Sequence, residues 1–304
     1  LYFWGWKRMM THKNTFFPVK KTFNFRGNLL HVDFPLIMGI LNLTPDSFYE
    51  GSRIGNEEDL ILRASNMLKE GAHILDIGAC STRPGAEQPD EATERKRLFP
   101  ALQVLRKNFP DAILSVDTWR ASIAREAVYE FGVDMINDIS AGNLDPAMFQ
   151  TIAECRVPYI MMHMQGTPQT MQKNPVYQDV VQDILSFFAR KTQELVRKFH
   201  VHDLFIDPGF GFGKTLEHNY ILLENLNVFR MLGFPVVVGI SRKSMIHRIL
   251  SCSPEEALNG TTVLHTIALL KGASILRVHD VKPATEAIRL LNFMKKANAD
   301  TEGK

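Results

Sequence analysis

Cysteine is scarce in this chain. Its three copies, Cys80, Cys155 and Cys252, lie far apart, and an odd, unpatterned set argues against a disulfide framework. No C-x-x-C pair occurs, so neither a zinc site nor a redox dithiol is suggested. The three read as small buried hydrophobes in a reducing cytoplasm. A charge excess is also missing: 35 Lys and Arg face 33 Asp and Glu, a net charge of +2. With no basic surplus to neutralise phosphates, nucleic acid is excluded as the default partner. No apolar run reaches the roughly 18 residues of a membrane span, so no membrane partner is expected. What is present is a balanced 45% hydrophobic and 22% charged composition over 304 residues. That excludes a disordered chain and fits a globular one.

From Phe34 onward one rhythm repeats. A short apolar run ends in polar or glycine residues, and a longer stretch with helical spacing follows. The runs are Pro35–Leu41, His73–Ile77, Ile113–Val116, Val133–Ile136, Val157–Met162, Leu204–Ile206, Val236–Ile240 and Ser274–Val278. They are continuous rather than alternating, as parallel strands covered on both faces should be. Helical patterns fall at Glu57–Glu70, Glu91–Lys107, Trp119–Phe131, Asp145–Ala153, Val176–Phe199, Leu216–Leu232, Pro254–Leu270 and Val281–Lys296. Strands alternating with helices eight times predict an α/β fold, a single (β/α)8 TIM barrel, in preference to an open doubly wound sheet. Val19–Asp33 splits into two short runs about Gly27-Asn28, a hairpin expected to close the bottom of the barrel. No Pro-, Gly- or Ser-rich linker divides the chain. Residues 1–17 read as an added or upstream extension, partly disordered, 18–297 as one domain, and 298–304 as a frayed polar tail.

In such a barrel, function collects where strands run out into the following loops. Every predicted strand end carries polar chemistry: Asn42, Asp76, Asp117, Asn137-Asp138, His163, Asp207, Ser241-Arg242-Lys243, and Arg277 with His279. Burying such charges is costly unless they pair or hold a ligand, so a small polar molecule seated in the mouth is expected. The long loops 42–48 and 81–86 read as mobile covers. They bring the Asn42 carboxamide, the Thr82 hydroxyl and the Arg83 guanidinium, groups suited to anions or metal. The stretch from Asp207 to Thr215 ends in Gly-Lys-Thr, yet a P-loop needs glycine where Pro208 stands. A dinucleotide fingerprint fails as well, because Lys214 holds its third glycine position. The glycines are expected to let the backbone approach a flat ligand, with the Phe210 and Phe212 rings on either side. His200 and His202 lie away from the mouth. Met161, Met162 and Met164 straddle a strand end as core, one of them placed to touch a planar ligand.

Several of these segments, in order, make a specific pattern. They are Met38–Phe48, Leu75-Asp76-Ile77-Gly78, Ser81–Gly85, Ser115–Thr118, Ile136-Asn137-Asp138, Asp207–Lys214, Ser241-Arg242-Lys243 and Arg277–Asp280. On them the chain resembles the bacterial dihydropteroate synthases, a pterin-binding TIM-barrel family, from about Leu36 to the last helix. The resemblance implies a transferase of folate synthesis, cytoplasmic and homodimeric, using Mg²⁺ and inhibited by sulfonamides. It would join (7,8-dihydropterin-6-yl)methyl diphosphate to 4-aminobenzoate. By the same resemblance Asp117, Asn137, Asp207 and Lys243 would hold the pterin. Asn42, Arg83, Arg277 and His279 would bind the diphosphate, with Asn42 reaching it through the metal. Thr82, Arg83, Pro84, Phe212, Ser241 and Ser244 would form the 4-aminobenzoate site, its carboxylate near the start of the helix after Lys243. Asp117, Lys243, Arg277 and His279 would carry the chemistry, which is SN1-like.

The chain departs from the family's pattern at Tyr49-Glu50-Gly51-Ser52 and at Ala79-Cys80, both in the covering loops. Three rival readings stay open on sequence. One is a methyltransferase passing methyl from a reduced folate to a corrinoid. Another is a non-catalytic pterin binder. The third is a Schiff-base aldolase using Lys243.

Overall fold

In the computed structural model, residues 19–33, 35–43, 53–80 and 88–302 are described. The eight apolar runs all form parallel strands: β3 (Leu36–Asn42), β4 (Ile74–Gly78), β5 (Ile113–Asp117), β6 (Met135–Asp138), β7 (Tyr159–Met162), β8 (Leu204–Asp207), β9 (Val237–Val238) and β10 (Ile275–Val278). They pair in the order β8-β7-β6-β5-β4-β3-β10-β9. An Ile206–Val236 bridge joins the first to the last, so the sheet closes into the predicted barrel. Helices α1 (Arg53–Glu70), α2 (Glu91–Asn108), α3 (Ala121–Phe131), α4 (Met148–Cys155), α5 (Val180–Lys198), α6 (Leu216–Glu224), α7 (Ser244–Leu250), α8 (Leu258–Leu270) and α9 (Val281–Glu302) surround it.

Successive strand residues face opposite ways, and the two faces serve different cores. Outward residues such as Leu41, Leu75, Val116, Ile136 and Leu276 join the large core beneath the helices. Inward residues near each strand's start, among them Met38, Ile74, Met135, Ile160, Phe205, Val237 and Ile275, make a separate apolar floor.

The hairpin of β1 (Thr22–Phe25) and β2 (Asn28–His31) plugs this floor from below. Phe23 and Phe25 are buried in it, and the Phe23 ring stacks on Phe205 with centroids 4.5 Å apart. Ion pairs tie its flanks to residues preceding strands: Lys20 to Asp203 at 2.5 Å, and Arg26 to Asp134. The turn lies one residue earlier than predicted. Phe25 pairs with Asn28, which makes Arg26-Gly27 the two-residue turn, and both take the positive φ that a tight hairpin needs.

Other differences have local causes. The predicted helix over 216–232 breaks at Asn225, and a 3-10 helix, Leu226–Leu232, follows. α5 starts at Val180 rather than 176 because the Asp179 carboxylate caps the Val181 and Gln182 N–H groups. α7 is the helix expected after Lys243, and it spans only seven residues. α9 continues to Glu302, into the stretch read as a polar tail. The three cysteines are free and half-buried. Among the described residues no helix is long and apolar enough to cross a membrane.

Phe23→Ala should destabilise the fold by about 3 kcal/mol, because it empties the plug's largest contact. Urea unfolding followed by circular dichroism measures this; an unchanged midpoint would show that the hairpin is only appended.

Candidate active site

One step above the floor the same inward faces turn polar. Asp76 stands two residues after Ile74, Asn137 two after Met135, Asp207 two after Phe205, and Arg277 two after Ile275. The period of two therefore carries each side chain into the mouth.

Arg277 binds this layer together. Its Nε donates to Asp76 Oδ2 at 2.6 Å and its Nη2 to Asp117 Oδ2 at 2.8 Å. Asn137 Nδ2 donates to the same Asp76 oxygen at 3.1 Å. Asp76 is wholly buried, and its Oδ1 has no hydrogen-bond partner among the described residues. Burial alone would lower the pKa of Arg277, but Asp76 and Asp117 outweigh it and raise the guanidinium further. Burial raises Asp117; Arg277 opposes the rise while Asp76, Glu94 and Asp138 add to it.

Asp207 and Lys243 face this group. Asp207 Oδ1 accepts from the Gly209 N–H at 2.8 Å. Burial raises its pKa, with Lys243 and that hydrogen bond opposing. Lys243 Nζ donates to the Phe210 carbonyl at 2.6 Å and lies 4.6 Å from the Phe212 ring centroid. Burial lowers its ammonium to about 8, against the pull of Asp207 and Asp117. A cleft opens between the two groups. Asp117, Asn137, Asp207, Lys243 and Arg277 line it, with Ile139, Met162 and Phe212 as apolar wall. Gly239 leaves room at its base, where a Cβ would come within 3.9 Å of Asp207 Oδ2.

Farther out, Ser241 accepts the His279 backbone N–H at 3.2 Å, and its hydroxyl oxygen lies 3.2 Å from ring Nδ1. Ser241 is buried, and its hydroxyl hydrogen has no other acceptor among the described residues. The hydroxyl and Nδ1 share one hydrogen bond, which fixes the orientation of the ring. His279 stands exposed at the rim, yet desolvation by the surrounding protein acts on its ring. That desolvation, with the positive charge of Arg277, Lys243 and Arg242, lowers its pKa to about 4 against the pull of Asp280. The imidazole is thus neutral.

The glycine-rich stretch behaves differently from its sequence reading. Gly209 (φ +74) and Gly213 (φ +63) admit protein backbone rather than a ligand. A Cβ on Gly209 would overlap the His163 carbonyl, and one on Gly213 would sit 2.7 Å from the Gln165 carbonyl. Phe210 belongs to the outer core, so only Phe212 reaches the cleft. Lys214, the residue that gave the P-loop likeness, turns inward. Its Nζ meets His163 Nδ1 at 3.1 Å, the His163 carbonyl at 3.3 Å and the Phe212 carbonyl at 2.9 Å. It pins the loop and is not presented to a phosphate.

All four residues expected to hold the pterin, Asp117, Asn137, Asp207 and Lys243, share the cleft. Phe212, expected beside 4-aminobenzoate, lines it too, and Ser244 opens α7, half-buried. Ser241 is engaged with His279. Thr82, Arg83 and Pro84 lie outside the described residues, as does Tyr49–Ser52. Cys80, half-buried, packs on the Trp119, Met162 and Phe212 cluster. Burial raises its thiol, so it stays protonated and unreactive. Asp76 was missed as a site residue, although its place at a strand end was the available signal.

Asn42 ends β3 exposed at the rim. A Cβ built on its neighbour Gly78 would stand 3.5 Å from Asn42 Oδ1 and 3.6 Å from Asp117 Cβ. Among the described residues no group of three or more His, Cys, Asp or Glu is placed to hold a metal. A lone hard oxygen donor fits a Mg²⁺ ion shared with substrate oxygens and water, which is how that ion ordinarily binds.

A closed parallel barrel whose polar side chains converge at the strand ends defines a TIM-barrel enzyme with its site in the mouth. Residues 38–279 match the family of pterin binding enzymes. The dihydropteroate synthase of Haemophilus influenzae is 43% identical over 262 residues, covering 86% of this chain and 94% of that protein. The Yersinia pestis dihydropteroate synthase, solved as a sulfonamide drug complex, superposes with a TM-score of 0.83 at 39% identity, covering 91% of this chain and 99% of that one. That of Burkholderia cenocepacia, complexed with 7,8-dihydropteroate, gives a TM-score of 0.82 at 35% identity, covering 94% and 100%. The chain belongs to the dihydropteroate synthases within the pterin binding enzymes. The methyltransferase, non-catalytic and aldolase readings are not favoured.

Asp76→Ala should cost about 3 kcal/mol or more, since it leaves the buried Arg277 half-paired. Urea denaturation tests it, and a loss below about 1 kcal/mol, the value of an exposed ion pair, would remove Asp76 from the centre of the network.

Proposed function

We propose that the barrel mouth joins (7,8-dihydropterin-6-yl)methyl diphosphate to 4-aminobenzoate, releasing 7,8-dihydropteroate and diphosphate. The observation that carries this reading is the convergence of Asp117, Asn137, Asp207 and Lys243 on one narrow cleft, with Arg277 at its edge and His279 at the rim. Asp207 accepts from the adjacent N–H groups of the amino-pyrimidinone edge, a pair that suits a two-oxygen acceptor. Asn137 and Asp117 hold other ring nitrogens, and Lys243 donates to ring acceptors. Met162 and Phe212 supply apolar faces for the flat ring.

The anionic arm extends to Arg277 and His279. The bond from the methylene carbon to the diphosphate oxygen breaks, and its electron pair leaves with the diphosphate. Arg277 and the His279 ring stabilise that departing charge. Asp117 offsets the positive charge left on the ring and methylene carbon. The arylamine nitrogen then forms the new bond to that carbon and releases its proton. Asn42 would contribute an oxygen to Mg²⁺, which when bound neutralises charge on the diphosphate. No protein nucleophile takes part, so Lys243 acts as a hydrogen-bond donor.

The 4-aminobenzoate site is assigned to Thr82, Arg83, Pro84, Phe212 and Ser244, with Ser241 acting through His279. Sulfonamides would occupy it, in keeping with the drug complex of the Yersinia pestis relative. The cytoplasm fits three free cysteines. We also propose a homodimer across α7, α8 and α9, which pack side by side. They expose the large apolar side chains of Ile249, Leu250, Val263, Leu270, Leu290 and Phe293, which a subunit interface across these helices would cover.

Diphosphate release that requires both substrates and Mg²⁺ is the direct assay, and its absence under every condition would overturn the assignment. In the same protein, Asp207→Asn should weaken pterin binding by about tenfold or more, the cost of losing a charged acceptor, as calorimetry would register. Phe293→Glu should shift the sedimenting species from dimer to monomer with helix content retained. Sedimentation unchanged from the parent would move the interface elsewhere.

A further inference from the structure

Two consecutive cross-links join the loop after β9 to the end of β10. The first is the Ser241–His279 contact. The second is a two-pronged ion pair: Arg242 Nε donates to Asp280 Oδ2 at 2.7 Å and Nη2 to Asp280 Oδ1 at 2.9 Å. Each partner's side chain is only 24% exposed. Arg242 is also braced from behind. Its Nη1 donates to the Pro254 carbonyl at 2.9 Å and the Glu255 carbonyl at 2.5 Å, and its backbone N–H to Thr261 Oγ1 at 3.1 Å.

A loose surface pair would be worth little. This one is bidentate and its arginine is braced from behind, the arrangement in which arginine is not replaceable by lysine. Its backbone is also held at φ +54, which an arginine rarely adopts. Such strain persists only where surroundings over-determine it. What it accomplishes is visible on either side. The turn at Arg242 directs Ser241 to His279, while Lys243 reaches across to the Phe210 carbonyl. Neither Arg242 nor Asp280 lines the cleft.

We propose that Arg242 and Asp280 are positioning residues whose ion pair locks the Lys243–Ser244 loop to the Arg277–His279 strand end, so that the subsites of the two substrates move as one body. The inference rests on the roles assigned above to His279 and Ser244.

The lock is read without catalysis by hydrogen exchange on the full chain. In Asp280→Asn, and independently in Arg242→Lys, the amides of segments 241–246 and 278–281 should both exchange about tenfold faster, with the floor strands unchanged. Loosening of one segment alone, or of neither, overturns the proposal. Kinetically, each variant should lose about tenfold or more in kcat/KM for both substrates. The double variant should lose no more than the worse single one. Affinity for 6-hydroxymethylpterin, which lacks the diphosphate, should fall by a smaller factor than kcat/KM, because Lys243 rides on the released loop while Asp117, Asn137 and Asp207 keep their places. Losses that multiply, that fall on one substrate only, or that are as large for 6-hydroxymethylpterin as for the reaction refute the coupling. Should the parent itself fail to bind 6-hydroxymethylpterin, the functional reading fails instead, and exchange still decides the lock.

Discussion

The mouth depends on one guanidinium held between two carboxylates. Arg277 comes from β10, Asp76 from β4 and Asp117 from β5, and Asn137 of β6 leans on the same Asp76 oxygen. Four strand ends therefore share one hydrogen-bonded knot. None of these groups is tolerable alone at such depth, because a buried unpaired charge costs several kcal/mol. Together they are tolerable, because the guanidinium pairs with both carboxylates and Asn137 donates to the shared Asp76 oxygen. The geometry of each is set by the others, and the layer is stiff before any ligand arrives.

That stiffness divides the site into a fixed part and an adjustable one. The groups assigned to the heterocycle come mostly from strand ends, with Phe212 from a loop pinned by Lys214, whose Nζ meets His163 and Phe212, and Lys243 from the loop before α7. A pocket on rigid elements supports recognition by directed hydrogen bonds, where small misplacements are expensive. The groups assigned to the second substrate fall largely on loops, which suits a partner that enters after the first is seated.

Much of this was legible in the sequence. Continuous apolar runs separated by helical stretches named all eight strands, since burial on both faces leaves no alternation to confuse the reading. Asp117, Asn137, Asp207, Lys243 and Arg277 stood at strand ends, and topology alone brings strand ends together. What could not be read was governed by tertiary contact. The glycines at 209 and 213 signalled close approach, but their sequence does not say whether ligand or chain approaches, and the answer was the His163–Gln165 backbone. Phe210 and Phe212 look equivalent in sequence, yet one is core and the other wall. Ser241 was read for its hydroxyl without knowledge of the imidazole beside it. Asp76 stands at a strand end like the residues recognised, but unlike Asp117 it does not line the cleft: it holds Arg277 and Asn137 from behind. The hairpin turn moved by one residue because strand register, and not the Gly-Asn pair, decided it.

The floor and the reactive layer are written in one reading frame. Ile74 and Asp76, Met135 and Asn137, Phe205 and Asp207, Ile275 and Arg277 are each two positions apart on the inward face, while Leu75, Ile136, Ile206 and Leu276 between them look out to the helices. Deleting or inserting a single codon within one of these strands would exchange every occupant of the two faces at once. A carboxylate would then lie under a helix and a branched hydrocarbon would point at the pterin. Substitutions along the strands can be judged position by position, but length changes there are forbidden as a class, and variation in length is left to the loops.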